Sequence, residues 1–124
     1  RAQALAARHA ALAAQHAVSL QAGGLGDVRG AFDVVVNATA SSLAGGAVPV
    51  PSDALAPGAL AVDLMYGPAA QPFLVWAQAA GAVGRDGLGM LVEQAAEAFF
   101  VWRGQRPATA PVLAALRARL EAEA

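Results

Sequence analysis

The sequence predicts an α/β fold in which a parallel sheet is flanked by helices and followed by two further helices. Three observations predict it. The runs FDVVV at 32–36 and LAVDLM at 60–65 are nearly continuous in apolar residues, as strands covered on both faces of a parallel sheet are. The segments 1–16, 72–81 and 88–102 carry helical rather than alternating spacing. Strands and helices alternate in the order expected of βα units, and 124 residues suffice for one ordinary core.

The elements follow in order. Leu5 and Leu12 stand among alanines, with Arg1, Arg8 and Gln15 at the same seven-residue spacing, which predicts an amphipathic helix. Ala17 to Leu20 is a short apolar run before Gly23, Gly24 and Gly26, expected as a strand and loop. The strand from Phe32 ends at Asn37, and the SSLAGGAVPVPS stretch after it is expected to be flexible. Pro57-Gly58 signals a turn before a strand from Leu60 to Met65. Pro72 can occupy the first turn of a helix whose apolar side is Phe73, Leu74 and Trp76 and which closes at Gly81. Val83-Gly84 allows only a very short strand. Leu88, Leu91, Val92, Ala95, Phe99 and Trp102 follow helical spacing closely, and a last helix from about Pro111 has Thr109 as its expected cap and Leu113, Leu116 and Leu120 as its stripe.

Composition bounds the partners. Hydrophobic residues make up 57% and charged residues 14%, against roughly 45–50% and about 25% in typical soluble domains. Alanine inflates the first figure, but so few charges still predict a surface covered by a larger protein or by self-association, for which a homodimer is one form. The eight basic residues are all arginines, scattered without a stripe in a chain of net charge −1, which argues against nucleic-acid binding. No apolar run reaches the roughly 18 residues of a membrane span, so the expectation is a soluble protein with no membrane partner. No cysteine is present, which agrees with a cytoplasmic setting. The two histidines, His9 and His16, are seven apart with no third ligand in view, so both are expected on the surface and no metal is expected. The chain opens on Arg1 with no leader pattern, directly in a helix, and is expected to be part of something longer.

In parallel sheets ligands collect at the carboxyl ends of the strands, here NATASS at 37–42 and Tyr66-Gly67-Pro68. Three blocks in sequence order carry a resemblance: FDVVVNATASSLAG (32–45), VDLMYGPAAQPFLVWAQAAGA (62–82) and DGLGMLVEQAAEAFFVWRG (86–104). Together they resemble the shikimate dehydrogenase family over essentially the whole chain, and the opening RAQALAARH is similar to the family's helix after its second Rossmann strand. The resemblance implies a partial Rossmann-type domain over 1–85 that binds NADP. Residues 86–124 would then be C-terminal helices returning to pack on a catalytic domain outside this chain.

The implied chemistry is the reversible, NADP-dependent reduction of 3-dehydroshikimate to shikimate in chorismate and aromatic amino-acid biosynthesis. Hydride moves between nicotinamide C4 and the carbonyl carbon, and a positioned acid/base group must serve the oxygen. In the family a lysine and an aspartate upstream do this. The chain has no lysine, so alone it is expected to be inactive and to contain no catalytic residue.

By resemblance, Tyr66 and Gln94 would bind substrate; an amide suits a substrate hydroxyl because it both donates and accepts. Ala38, Thr39 and Ala40 would line the dinucleotide, with Leu64, Gly87 and Met90 at the nicotinamide. Arg1 would lie near the adenosine 2′-phosphate, which a guanidinium fits. Without the resemblance, Gln94 is a solvent-side amide, Tyr66 a strand-end aromatic, Met90 a core residue and Arg1 a solvated charge. Asn37 is expected to bond its own loop backbone. The chain departs from the family in Ala40-Ser41-Ser42, where many members have serine then glycine, and in Gln71, where threonine often caps the next helix. Two rivals stand beside this reading: a quinate/shikimate dehydrogenase using NAD, and a non-catalytic Rossmann-type binding or assembly module.

Overall fold

The computed structural model describes residues 1–41 and 50–123, which divide into two compact units, Arg1–Gly30 and Ala31–Ala124. Most of the SSLAGGAVPVPS stretch, residues 42–49, therefore lies outside the described residues.

In the first unit, α1 (Ala2–Gln15) forms where alanine and leucine run almost uninterrupted. Residues 17–20, expected as a strand, are not one. The helix closes through Ala17, whose φ of 52° is left-handed. The Ala17 N–H donates to the Ala14 carbonyl (3.2 Å) and the Val18 N–H to the Ala13 carbonyl (2.9 Å). This paired-bond ending uses the donors a strand would need, and no strand among the described residues pairs with the segment.

The second unit holds a three-stranded parallel sheet in the order β1 (Phe32–Asn37), β2 (Leu55–Asp63), β3 (Val83–Arg85). β2 starts earlier and ends sooner than the expected 60–65. Phe32 pairs with Leu55 but Val34 with Leu60, so the Pro57-Gly58 signal is an irregularity inside β2 and not a turn before it. The Gly58 N–H leaves the ladder to donate to the Gly81 carbonyl (3.1 Å). Leu64 and Met65 fall beyond the strand because their N–H and C=O groups turn to other partners at its exit.

Helix α2 (Gln71–Ala79), with Pro72 in its first turn as expected, covers one sheet face. Phe73 and Ala77 pack with Leu55, Ala59 and Ala61, and Trp76, Leu74 and Val35 close around them. The small alanines let the helix approach the sheet closely. Within this unit no helix among the described residues covers the other face, where Val34, Leu60 and Val83 form one row across the three strands. Parallel sheets are ordinarily covered on both sides.

Helices α3 (Leu88–Arg103) and α4 (Thr109–Ala122) complete the unit. α3 buries Leu88, Val92 and Ala96 and ends at Gly104, left-handed at φ 69°. Phe99 and Trp102, part of its expected apolar stripe, remain exposed. Thr109 is not the cap of α4: Ala108 holds that position with no side-chain bond, and Thr109 is already helical. No helix among the described residues is long and apolar enough to cross a membrane.

Candidate functional site

The exits of β1 and β2 are joined by polar groups. Asn37, the last residue of β1, and Asp63, the last of β2, are register partners and both are buried. The Asn37 Nδ2 donates to an Asp63 carboxylate oxygen (3.3 Å), and the other Asp63 oxygen accepts the Met65 N–H (2.9 Å). The Asn37 Oδ1 accepts both the N–H (3.1 Å) and the hydroxyl (2.7 Å) of Thr39. This is the Asx turn expected from sequence. It fixes the exposed loop Ala38, Thr39 and Ala40 above the strand end.

The start of α3 lies against the same exits. The Leu64 N–H donates to the Asn37 carbonyl (3.1 Å) and the Gly87 N–H to the Met65 carbonyl (2.7 Å). A Cβ on Gly87 would stand 2.2 Å from the Leu64 oxygen, so only glycine permits this contact. The expected reason for Gly87 was room for a cofactor; the constraint within the chain is the Leu64 backbone.

Between β3 and α3, the Asp86 side chain is only 3% exposed and is held by both arms of the Arg117 guanidinium from α4. Its oxygens also accept from the Gly67 N–H (3.4 Å) and the Leu88 N–H (3.3 Å), both long bonds. Burial pushes this carboxyl up, but the hydrogen bonds and charge of Arg117 and the two N–H groups outweigh it and hold the group below the ordinary 3.8. The same hydrogen bond raises Arg117.

Along α3, Gly87, Met90 and Gln94 are three and four residues apart and so share a face. That face is opposite the buried Leu88, Val92 and Ala96, and Met90 and Gln94 are exposed on it. Gln94 stands about 10 Å along the axis from Gly87, seven residues at the helical rise. Tyr66, 40% exposed, follows Met65 at the β2 exit. The strand exits, with Tyr66 following them, thus form a wall against the first turn of α3, from which the Met90 and Gln94 face leads away.

Comparison with known proteins gives this wall a context. The profile described as the shikimate 5'-dehydrogenase C-terminal domain matches residues 87–117. The NADP(+) shikimate dehydrogenase of Methylibium petroleiphilum is 65% identical over 121 residues, 98% of this chain and 41% of that protein. The chain corresponds to a C-terminal portion of shikimate dehydrogenases. It spans about two fifths of the length of the curated relatives it matches, 41% and 44% in two cases. Among solved structures, an Ael1 enzyme from Pseudomonas putida superposes with TM-score 0.69 at 45% identity, over 89% of this chain and 42% of that one. The shikimate 5-dehydrogenase of Thermus thermophilus, in complex with NADP(H) and shikimate, gives 0.66 at 33% identity, over 93% and 43%.

In this chain, Thr39, Leu64 and Gly87 are brought together through Asn37 and Met65. Ala38 and Ala40 flank Thr39 in the exposed loop, and Tyr66 and Met90 adjoin the cluster in sequence. Arg1 belongs to the other unit, exposed at the start of α1. A cleft of about 560 Å³ lies elsewhere, lined by Gly67, Gln71, Arg85, Asp86, Arg117 and Glu121, and none of Leu64, Tyr66, Met90 or Gln94 lines it. Sequence reasoning missed Asp63, Asp86 and Arg117. A carboxylate ending an apolar strand run was the available signal for Asp63, and the Asp opening DGLGM for Asp86; Arg117 had none. No group of His, Asp and Glu among the described residues could hold a metal.

Proposed function

We propose that this chain forms the cofactor- and substrate-facing C-terminal part of an NADP-dependent shikimate dehydrogenase, acting in the shikimate pathway. The observation that carries the proposal is the Gly87 to Leu64 contact, which seats the α3 face bearing Met90 and Gln94 beside the strand exits. The dinucleotide fits these residues in one respect that can be judged from the chain: no side chain bulkier than threonine stands in the loop Ala38, Thr39 and Ala40 at the β1 exit, so backbone and hydroxyl are open to a polar ligand.

When bound, NADP supplies or accepts the hydride. Thr39 with its alanine neighbours lines the dinucleotide, and Leu64, Gly87 and Met90 form an apolar seat that excludes water from the nicotinamide. In the first unit, taken by itself, Arg1 would be the partner for a 2′-phosphate, which a guanidinium fits. The Gln94 amide holds a substrate hydroxyl, and the Tyr66 phenol orients substrate from the strand end. The family resemblance assigns the proton to a lysine and an aspartate upstream, and this chain has no lysine.

Residues 1–85 are on this reading part of the dinucleotide-binding domain, and 86–124 the helices that return to a catalytic domain. Support comes from the sheet row that no helix of its unit covers and from the apolar groove between α3 and α4, lined by Leu91, Val92, Phe99, Val112 and Leu116. The setting is the cytoplasm, and a homodimer would cover apolar surface of the same kind.

The test is steady-state assay of the full-length protein with NADP and NAD against shikimate and quinate. Preference for NADP and shikimate supports the proposal, whereas strict preference for NAD and quinate, or no turnover of either acid, defeats it. In the same protein Gln94→Ala should cost about 1–3 kcal/mol in kcat/KM, the usual loss when a buried polar partner goes unpaired. Unchanged kinetics would remove Gln94 from the site.

A further inference from the structure

Three elements that are distant in sequence hang on one carboxylate. The Gly67 N–H belongs to the turn that immediately follows Tyr66, the Leu88 N–H opens α3, and the Arg117 guanidinium projects from α4. Asp86 receives all three with its side chain withdrawn from solvent. Gly67 is itself left-handed at φ 63°, so the turn presents its N–H to Asp86 through a conformation that other residues rarely adopt.

We infer that Asp86, clamped by Arg117, is a positioning residue that holds the Tyr66 turn and the Met90 and Gln94 face of α3 at a fixed mutual geometry. The inference rests on the assignment of Tyr66 and Gln94 to substrate proposed above. It goes beyond it, because Asp86 and Arg117 line the cleft away from those residues and need touch no ligand. A carboxylate suits the task where an amide does not. Both oxygens must accept, and the paired N–H groups of a guanidinium match two acceptors side by side. In Asp86→Asn one oxygen becomes an NH2 group that meets the donors of Arg117 head on. The clamp opens with almost no change in volume.

The experiment is a double-variant cycle in the full-length protein, with thermal melting as the check on folding and with KM and kcat for shikimate measured separately. Asp86→Asn should raise the shikimate KM roughly tenfold with a smaller change in kcat, and Arg117→Lys, which keeps the charge but not the fork, should fall between it and wild type. Combined with Gln94→Ala, Asp86→Asn should add little to the loss already caused by the single change, because both remove the same substrate contact. A folded Asp86→Asn protein with wild-type KM, or losses that multiply in the double variant, would overturn the inference. If Asp86→Asn does not melt cooperatively, Arg117→Lys takes its place in the cycle under the same two criteria. Should Gln94→Ala alone leave the KM unchanged, the substrate assignment itself fails and this inference falls with it. That outcome is distinguished from the others by the single variant.

Discussion

Gly87 and Leu64 meet backbone to backbone, at a separation where a single added methyl would stand 2.2 Å from the Leu64 carbonyl oxygen. Everything proposed for the site hangs on this approach, since it seats α3 on the β2 exit. Because the obstruction is backbone, it cannot be relieved by a side-chain rotation. Gly87→Ala should therefore destabilise the full-length protein by about 1–3 kcal/mol, the usual cost of overpacking. The loss should be seen in denaturant unfolding without any cofactor. If the apo protein is as stable as wild type and only NADP kinetics suffer, crowding of the ligand and not of Leu64 is the reason for glycine.

Ala17 carries a left-handed backbone at the end of α1, with φ of 52°, at the position where helices ending this way most often place glycine. An alanine there is strained by about 1–2 kcal/mol. Ala17→Gly should relieve part of it and slow amide exchange in the last turn of α1 by about fivefold, the equivalent of about 1 kcal/mol. Exchange that is unchanged or faster would show that the ending is not strained.

The same residue shows where sequence reasoning stopped. Ala17 to Leu20 has the composition of a strand, but strand formation depends on a partner, and the helix ending consumes the local donors first. β1, α2 and α3 were legible because each signals itself: a β-branched run, a proline in a first turn, an unbroken helical period. The long start of β2 was not, because Pro57-Gly58 has the chemistry of a turn and pairing with β1 overrides it. Within the site, Asn37 was readable since its bonds are local. Asp86 and Arg117 were not, because their partnership spans 31 residues and is created only by the packing of α4.

That partnership has a pH signature. The folded Asp86 carboxyl lies below its ordinary 3.8, while burial alone would have raised it. A group whose folded value is depressed contributes stability above its unfolded value and loses it as pH falls through the folded one. Arg117 stays charged throughout. Stability of the full-length protein should thus be insensitive to Asp86 near neutrality and fall as acid is added below the ordinary aspartate value. Asp86→Asn should flatten that part of the acid limb when unfolding midpoints are compared between about pH 6 and pH 2.5. Parallel acid limbs in the two proteins would mean the ion pair contributes nothing to the fold.

The 124-residue chain on its own should neither turn over shikimate nor bind NADP with micromolar affinity. Two separate deficits lead to this. The chain has no lysine and so lacks the acid/base residue that the family places upstream. It also contains no glycine-rich turn of the G-x-G-x-x-G kind, whose backbone and helix N-terminus hold the pyrophosphate. The proposed contacts at Arg1, at the loop Ala38, Thr39 and Ala40 and at Gly87 remain, but none of them replaces a cradle for the pyrophosphate, the ligand's most highly charged part. Calorimetric titration of the isolated chain, with circular dichroism to establish that it is folded, measures this directly. Micromolar binding by the folded chain would mean that the strand exits and Gly87 contribute far more of the cofactor affinity than the pyrophosphate does.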